Sequence, residues 1–422
     1  MTTTRQMAIA AAAIWAAASA QAVTVPPAFT GTTAPNWTLH DDAALTAGPA
    51  LNLDPDGQGW LRLTPDIARP GPPYVKGSAI YNIPFSSTDG IQATFQYATY
   101  RDPANPSGNP LADGLSFYLF DGAANSSPGA GGGSLGYSSS DETAPRSPGV
   151  TGGYVGVGLT EWGAFSLPVF GGGCAAGAVG CTTTQSPGIT VRGAGTVTSD
   201  YPQLAHANAS MTTSNRAGAR TVRVTITPAP AVLMTVEMDS GSGFVPYIQQ
   251  LPLGTINGTP PATFKLGFSA ANGQYSGVHE VRFLGIQGSR TPTVTLSANR
   301  GQCGPATLTA TVAGDGVGAA PTGTVTFVDQ GGATLGTATV DPATGQAQWA
   351  GALPSGVQTV TARYAGDPVY VAGASTALAQ TATTPCPDPI PTLGHWAAAL
   401  LSAALALVGA LSWRKRQAAD HR

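Results

Sequence analysis

Hydrophobic and polar positions alternate along most of this chain. Ile91, Ala93, Phe95 and Tyr97 share one face of an extended segment; Leu115, Phe117 and Leu119 repeat the pattern, as do Val222, Val224 and Ile226. A period of two, rich in β-branched and aromatic residues, predicts half-buried strands. Segments of this kind recur from Phe29 to Gln287, enough for one large all-β sandwich. Around Ser289-Arg-Thr-Pro-Thr293 the pattern resets. Shorter strands follow at Ala306–Val312, Gly323–Val328 and Val357–Tyr364, spaced for a second β-sandwich of about ninety residues. The 55 glycines and 35 prolines are scattered rather than periodic, which suits short strands and turns and predicts almost no helix before Trp396.

Both ends of the chain break the alternation. Trp396 to Trp413 carries no charge for eighteen residues. As a helix it would span roughly 27 Å, about the thickness of a hydrocarbon core. Its terminal tryptophans suit the two interfaces, and Arg414, Lys415 and Arg416 mark the C-terminal side as cytoplasmic. A proline-rich linker and the motif Ile390, Pro391, Thr392 and Leu393 precede it. Residues 386–395, the transmembrane helix 396–413 and the basic tail 414–422 together resemble the IPTL-CTERM sorting signal of Gram-negative bacteria. The resemblance implies anchoring in the inner membrane, a sorting protease of the exosortase class as partner, and delivery to the cell surface or extracellular matrix. At the other end, Arg5, the apolar run Met7–Ala18 and Ala20-Gln-Ala22 read as a secretory signal peptide over residues 1–22, so that residues 23–395 are exported.

The formal net charge is −3, and five of the 19 basic residues (Arg5, Arg414, Lys415, Arg416 and Arg422) lie in the terminal segments. The exported part is therefore distinctly acidic, which argues against nucleic acid as a partner. Four cysteines fit an oxidising compartment. Cys174 and Cys181 bracket an Ala/Gly-rich loop and their closeness favours a local disulfide, leaving Cys303 for Cys386.

Four segments of the large domain are similar, in order, to segments of the legume-type (L-type) lectins and their bacterial relatives. They are Leu111-Ala-Asp-Gly-Leu-Ser-Phe117, Gly131-Gly-Gly-Ser-Leu-Gly-Tyr137, Gly153–Phe165 and Leu266-Gly-Phe-Ser-Ala-Ala-Asn-Gly273. Gly59–Thr64, Gly77–Asn82 and Val191–Gly193 also look like the bacterial branch. The resemblance implies a jelly-roll, legume-lectin-like sandwich over residues 23–288. It also implies carbohydrate or exopolysaccharide as partner, with Asp113 accepting hydrogen bonds from sugar hydroxyls and Gly132 or Gly133 letting a backbone N–H approach the sugar. Tyr137, Trp162 and Tyr275 lie on or beside the same loops and are candidates for packing on pyranose C–H groups. Bland alternatives stand beside these: an Asp before Gly can cap its own turn, and loop aromatics can simply close a sandwich edge.

In plant members the third segment supplies a Glu, an Asp and an Asn to the Mn²⁺ and Ca²⁺ ions that fix the sugar loop. The corresponding residues here are Gly158, Thr160 and Ala164, a poor ligand set. Glu161 is one residue out of register and faces the other side of an extended strand. Calcium held by Asp113 with Asp141 or Glu142, or reached by Glu161, is the metal reading that remains; a solvated acidic loop is the alternative.

Residues 289–385 resemble the bacterial Ig-like repeats of surface proteins in Pro321–Phe327 and Val360–Pro368, a module usually used as a stalk. Asp329 and Asp367 there read as calcium contacts or as turn residues. Nothing indicates catalysis: Glu237 and Asp239 precede a hairpin turn, no facing carboxylate pair has a hydrolase spacing, and no serine stands in a nucleophile elbow. Two readings result. One is a carbohydrate-binding adhesin on an Ig-like stalk, and the other a structural surface or matrix protein that keeps the lectin fold without sugar binding.

Overall fold

The computed structural model describes residues 25–105, 109–196, 200–300, 306–314, 319–354, 357, 359–379 and 395–417. The alternating segments become strands. Ile91–Tyr100 buries Ile91, Ala93, Phe95 and Tyr97, and Arg220–Ile226 buries Val222, Val224 and Ile226 beside it. Among the described residues these two belong to a seven-stranded antiparallel sheet that also contains Met234–Asp239 and Val278–Gln287. Facing it is a nine-stranded sheet whose centre runs Val75–Tyr81, Thr263–Asn272, Gly114–Asp121, Gly153–Thr160, Gly188–Arg192. Phe95 and Phe117, from opposite sheets, stack at 5.6 Å, and Phe268 meets Phe95 at 5.1 Å. Each such buried ring contributes roughly 1.5–3 kcal/mol by leaving water.

Gly114–Asp121 and Gly153–Thr160 do not alternate in burial; almost every residue is inside. Leu115, Phe117 and Leu119 face the sandwich core, while Tyr118 and Phe120 join Leu135, Tyr137, Phe165 and Tyr201 in a second apolar cluster. Long loops over residues 129–150 and 163–172 therefore cover the outer face of this sheet. Register explains why they lie so close. Ser78, Ser269, Ser116, Gly158, Thr190 and His206 stand opposite one another strand by strand, a row of mostly small side chains.

After Gln287 the chain enters a second, smaller sandwich. Thr293–Arg300, Ala306–Ala313 and Gln346–Gly351 form one sheet, and Thr324–Asp329 and Thr359–Tyr364 centre the other, around Leu308, Phe327 and Val360. Between Gln287 and Thr293 the chain is pinned to both sandwiches: Arg290 donates to Asp89 at 2.8 Å, and its backbone pairs with Val369 and Val371. Before residue 395 the described residues contain one α-helical turn, Leu253–Ile256, and a few 3-10 turns.

The C-terminal helix runs His395–Gln417, with side chains described from 399 to 414. Among the described residues no helix is long and apolar enough to cross a membrane. The eighteen-residue apolar stretch Trp396–Trp413 starts before the part whose side chains are described, so the span expected from the sequence is not found as such. Leu400, Leu401, Leu405, Val408 and Trp413 are all exposed. The signal peptide, Ile390–Leu393, Cys303 and Cys386, and the side chains of Lys415 and Arg416 lie outside the described residues.

Candidate functional site

The glycine-rich loop is seated by close backbone packing. Gly136 has φ +70°, and a Cβ there would fall 1.9 Å from Ser269 Oγ; Ser116 Oγ donates to the carbonyl of Leu135 at 2.7 Å. The same packing decides Gly133, where a Cβ would lie 2.5 Å from the Phe170 ring. Gly132, with φ +58°, backs onto Tyr74. Glycine at 133 is thus demanded by protein packed on protein, rather than by room for a sugar.

Asp113 precedes the strand Gly114–Asp121, after a cis peptide bond. Its backbone is fixed twice: the N–H donates to Ala271 O at 2.9 Å, and the carbonyl accepts from Thr160 Oγ1 at 2.8 Å. The carboxyl lies at the floor of a cleft of about 380 Å³ whose lining includes Gly132, Gly133, Glu142, Trp162 and Gln185. Asp113 is only 6% exposed and its Oδ2 has no hydrogen-bond partner, which is not how a turn-capping Asp is placed. Burial, reinforced by the charges of Glu161 and Glu142, pushes its pKa up to about 7.

Trp162 forms part of the cleft wall, and Tyr275 buttresses it edge-on, ring centroids 4.8 Å apart. Tyr137 does not join them. It is fully buried, its hydroxyl donates to Gly193 O at 2.8 Å, and its ring lies over Gly156, where a Cβ would approach it to 2.3 Å. The residue expected at the sugar face is a core residue of the second cluster, placed there because its strand neighbour is a glycine.

The acidic residues do not converge. Asp141 is clamped by Arg146, which also reaches Asp200, and Glu142 accepts from Tyr74 OH at 2.6 Å. Glu161 turns inward, its Oε2 3.2 Å from His279 Nε2, while Oε1 is buried without a partner. Phe165 covers Gly158, where a Cβ would come within 2.3 Å of the ring, and Thr160 Oγ1 is committed to Asp113 O and to the N–H of Gly163. No set of three or more His, Cys, Asp and Glu side chains among the described residues is placed to hold a metal. A calcium ion held by Asp113 with Asp141 or Glu142 therefore does not fit this donor set. In the smaller sandwich, Asp329 and Asp367 bind their own turns, Asp329 through Gly331 N and Ala333 N, Asp367 through Val369 N and Tyr370 N.

The loop-fixing task falls instead to Arg192, fully buried beneath the 163–172 loop. It donates to the carbonyls of Phe165, Leu167, Gly172 and Tyr201 at 2.7–3.0 Å, and its guanidinium lies 5.2 Å from the Phe165 ring. Burial lowers its pKa to about 9. Sequence reasoning noted Val191–Gly193 only as a likeness and missed this role, as it missed Tyr74, Phe170 and Gln185. A lone Arg in a run of β-branched residues is the one signal that points to Arg192; Tyr74, in a proline-rich loop, carries none. The disulfide Cys174–Cys181 is formed, with Cα atoms 6.0 Å apart, at one edge of the nine-stranded sheet.

The second sandwich matches a known module. Residues 291–383 match the bacterial Ig-like domain (group 3), and residues 388–416 match the IPTL-CTERM motif. No curated protein matches the chain. Among solved structures, basic winged bean lectin with Tn-antigen is similar at 17% identity over 63% of this chain and 98% of that one, TM-score 0.42. Lectin II from Ulex europaeus is similar at 16%, 62% and 96%, TM-score 0.40. The Ca²⁺/Man-bound exoplasmic/lumenal domain of VIP36 gives 16%, 62% and 87%, TM-score 0.40.

Proposed function

We propose that this chain is an exported, non-enzymatic surface protein whose large jelly-roll sandwich binds carbohydrate in the cleft above Asp113. The observation that carries the reading is the Asp113 carboxyl: its backbone is fixed from two strands, its Oδ2 is buried without a donor, and it faces a cleft walled by Trp162. A buried acceptor without a partner costs about 1–3 kcal/mol, which a ligand hydroxyl or N–H would offset. The likeness of Leu111–Phe117 to the lectin strand entry supports the same assignment.

In this reading the Ig-like module, residues 289–385, displays the binding domain. The C-terminal segment, residues 386–422, anchors the chain in the inner membrane until a protease of the exosortase class sorts it. The run of exposed leucines along the C-terminal helix supports an apolar surrounding there. Binding proceeds without calcium, since Arg192 and the serine row already hold the loops. A glycan array probed with the full chain tests this: binding that survives a chelator and falls roughly tenfold or more in Asp113→Asn is expected. One observation favours the matrix-protein alternative, namely that Phe165 occupies the space over Gly158; absence of binding to every glycan would overturn the sugar-binding reading in its favour.

A further inference from the structure

Among the described residues, the cleft above Asp113 is lined by two carboxylates, Asp113 and Glu142, and by no lysine, arginine or histidine. Behind its floor Glu161 adds a third, with one oxygen buried and unpartnered like Asp113 Oδ2. The nearest charged partners are spent elsewhere. His279 faces Glu161 from the opposite sheet, and Lys76 lines the next cavity, beyond the Tyr74–Glu142 hydrogen bond, where it reaches Gly129 O and Asp41. Arg146 holds Asp141, and Arg69 donates to Pro73 O.

We infer that the preferred ligand is a cationic saccharide, one carrying a free amino group, whose ammonium sits between Asp113 and Glu142 and against the Trp162 ring. This rests on the carbohydrate-binding reading above and names its ligand class. A neutral hydroxyl satisfies one oxygen of Asp113 but brings no positive charge to the two carboxyl groups that line the cleft, Asp113 and Glu142. An ammonium supplies three donors and the missing charge together, and charge-assisted hydrogen bonds are about twice as strong as neutral ones. The Trp162 ring, held by Tyr275, adds a face that attracts cations. A metal ion would need more oxygens than converge here, whereas an ammonium is content with two or three acceptors. Asp113 facing a bound cation would ionise well below its ligand-free value of about 7.

The test is calorimetric titration of the full chain, in mild detergent at pH 6.5, with a β-1,4-linked glucosamine tetramer, its N-acetylated counterpart and a tetralysine peptide. The free-amine tetramer should bind about tenfold or more tightly than the acetylated one, and weaken as salt rises. Asp113→Asn should abolish that preference and Glu142→Gln reduce it. Should Asp113→Asn fail to fold, wild type and Glu142→Gln decide. Equal or tighter binding of the acetylated tetramer would refute the cationic preference while leaving sugar binding intact. Tighter binding of tetralysine would overturn the saccharide assignment, and no binding of any glycan would remove both readings.

Discussion

Asp113 is a carboxyl held where its charge is costly. Its pKa of about 7 in the fold lies above the ordinary 3.8, so the protonated form is the one folding favours. Its contribution to stability is therefore complete below the unfolded value and lost as pH rises through 7. Removing the charge should help the ligand-free protein only where that charge exists. Asp113→Asn is expected to raise stability at pH 8 by on the order of 2–4 kcal/mol and to leave it nearly unchanged at pH 4. Thermal melts of both proteins at the two pH values check this, and a lower melting temperature at pH 8 would mean that the carboxylate has a stabilising partner. At this scale the sequence is partly legible. Ala-Asp-Gly placed Asp113 at a strand entry, but nothing near Tyr137 shows that Gly156, across the sheet, leaves a socket for its ring.

The strand Gly153–Thr160 and the loop that follows it form one unit, fastened by Arg192. The guanidinium reaches four carbonyls in different directions, which a planar group with five donors can do and an ammonium on a flexible stem cannot. Arg192→Lys keeps a positive charge yet strands several buried carbonyls, each costing about 1–3 kcal/mol. The melting temperature should fall, and glycan affinity should fall with it because Trp162 borders the loosened loop. Retained affinity in a destabilised Arg192→Lys would show that the loop does not shape the cleft. Strands with alternating burial, such as Ile91–Tyr100, are legible from their pattern. Gly114–Asp121 is legible through Leu115, Phe117 and Leu119, but Gly153–Thr160 is less so: loops bury the outer faces of both strands, and burial on both sides erases the signal that alternation depends on.

Across the whole molecule, the pattern change at Ser289–Thr293 marks where one set of sheets ends and another begins, and the structure joins them there through a buried ion pair. Arg290 and Asp89 each have side chains 7% exposed, with Nε to Oδ1 at 2.8 Å, and Ser289 Oγ donates to Ile226 O at 2.7 Å. The pairing of Asp89 with Arg290 could not be read from the chain, since the two are 201 positions apart and each looks like an ordinary loop residue. Its energetic sense is asymmetric: a buried pair adds little over an apolar one, but removing one partner leaves an uncompensated charge and costs about 3–5 kcal/mol. Asp89→Ala should therefore both destabilise the chain and free the segment between the sandwiches. Trypsin then has access to the bond after Arg290, whose backbone is otherwise paired with Val369 and Val371. Limited proteolysis followed by mass spectrometry should find faster cleavage at that bond, releasing the smaller sandwich from the larger one, with the Cys174–Cys181 disulfide intact. Cleavage there at the wild-type rate would mean that the backbone pairing alone holds the two sandwiches together and that the ion pair is dispensable.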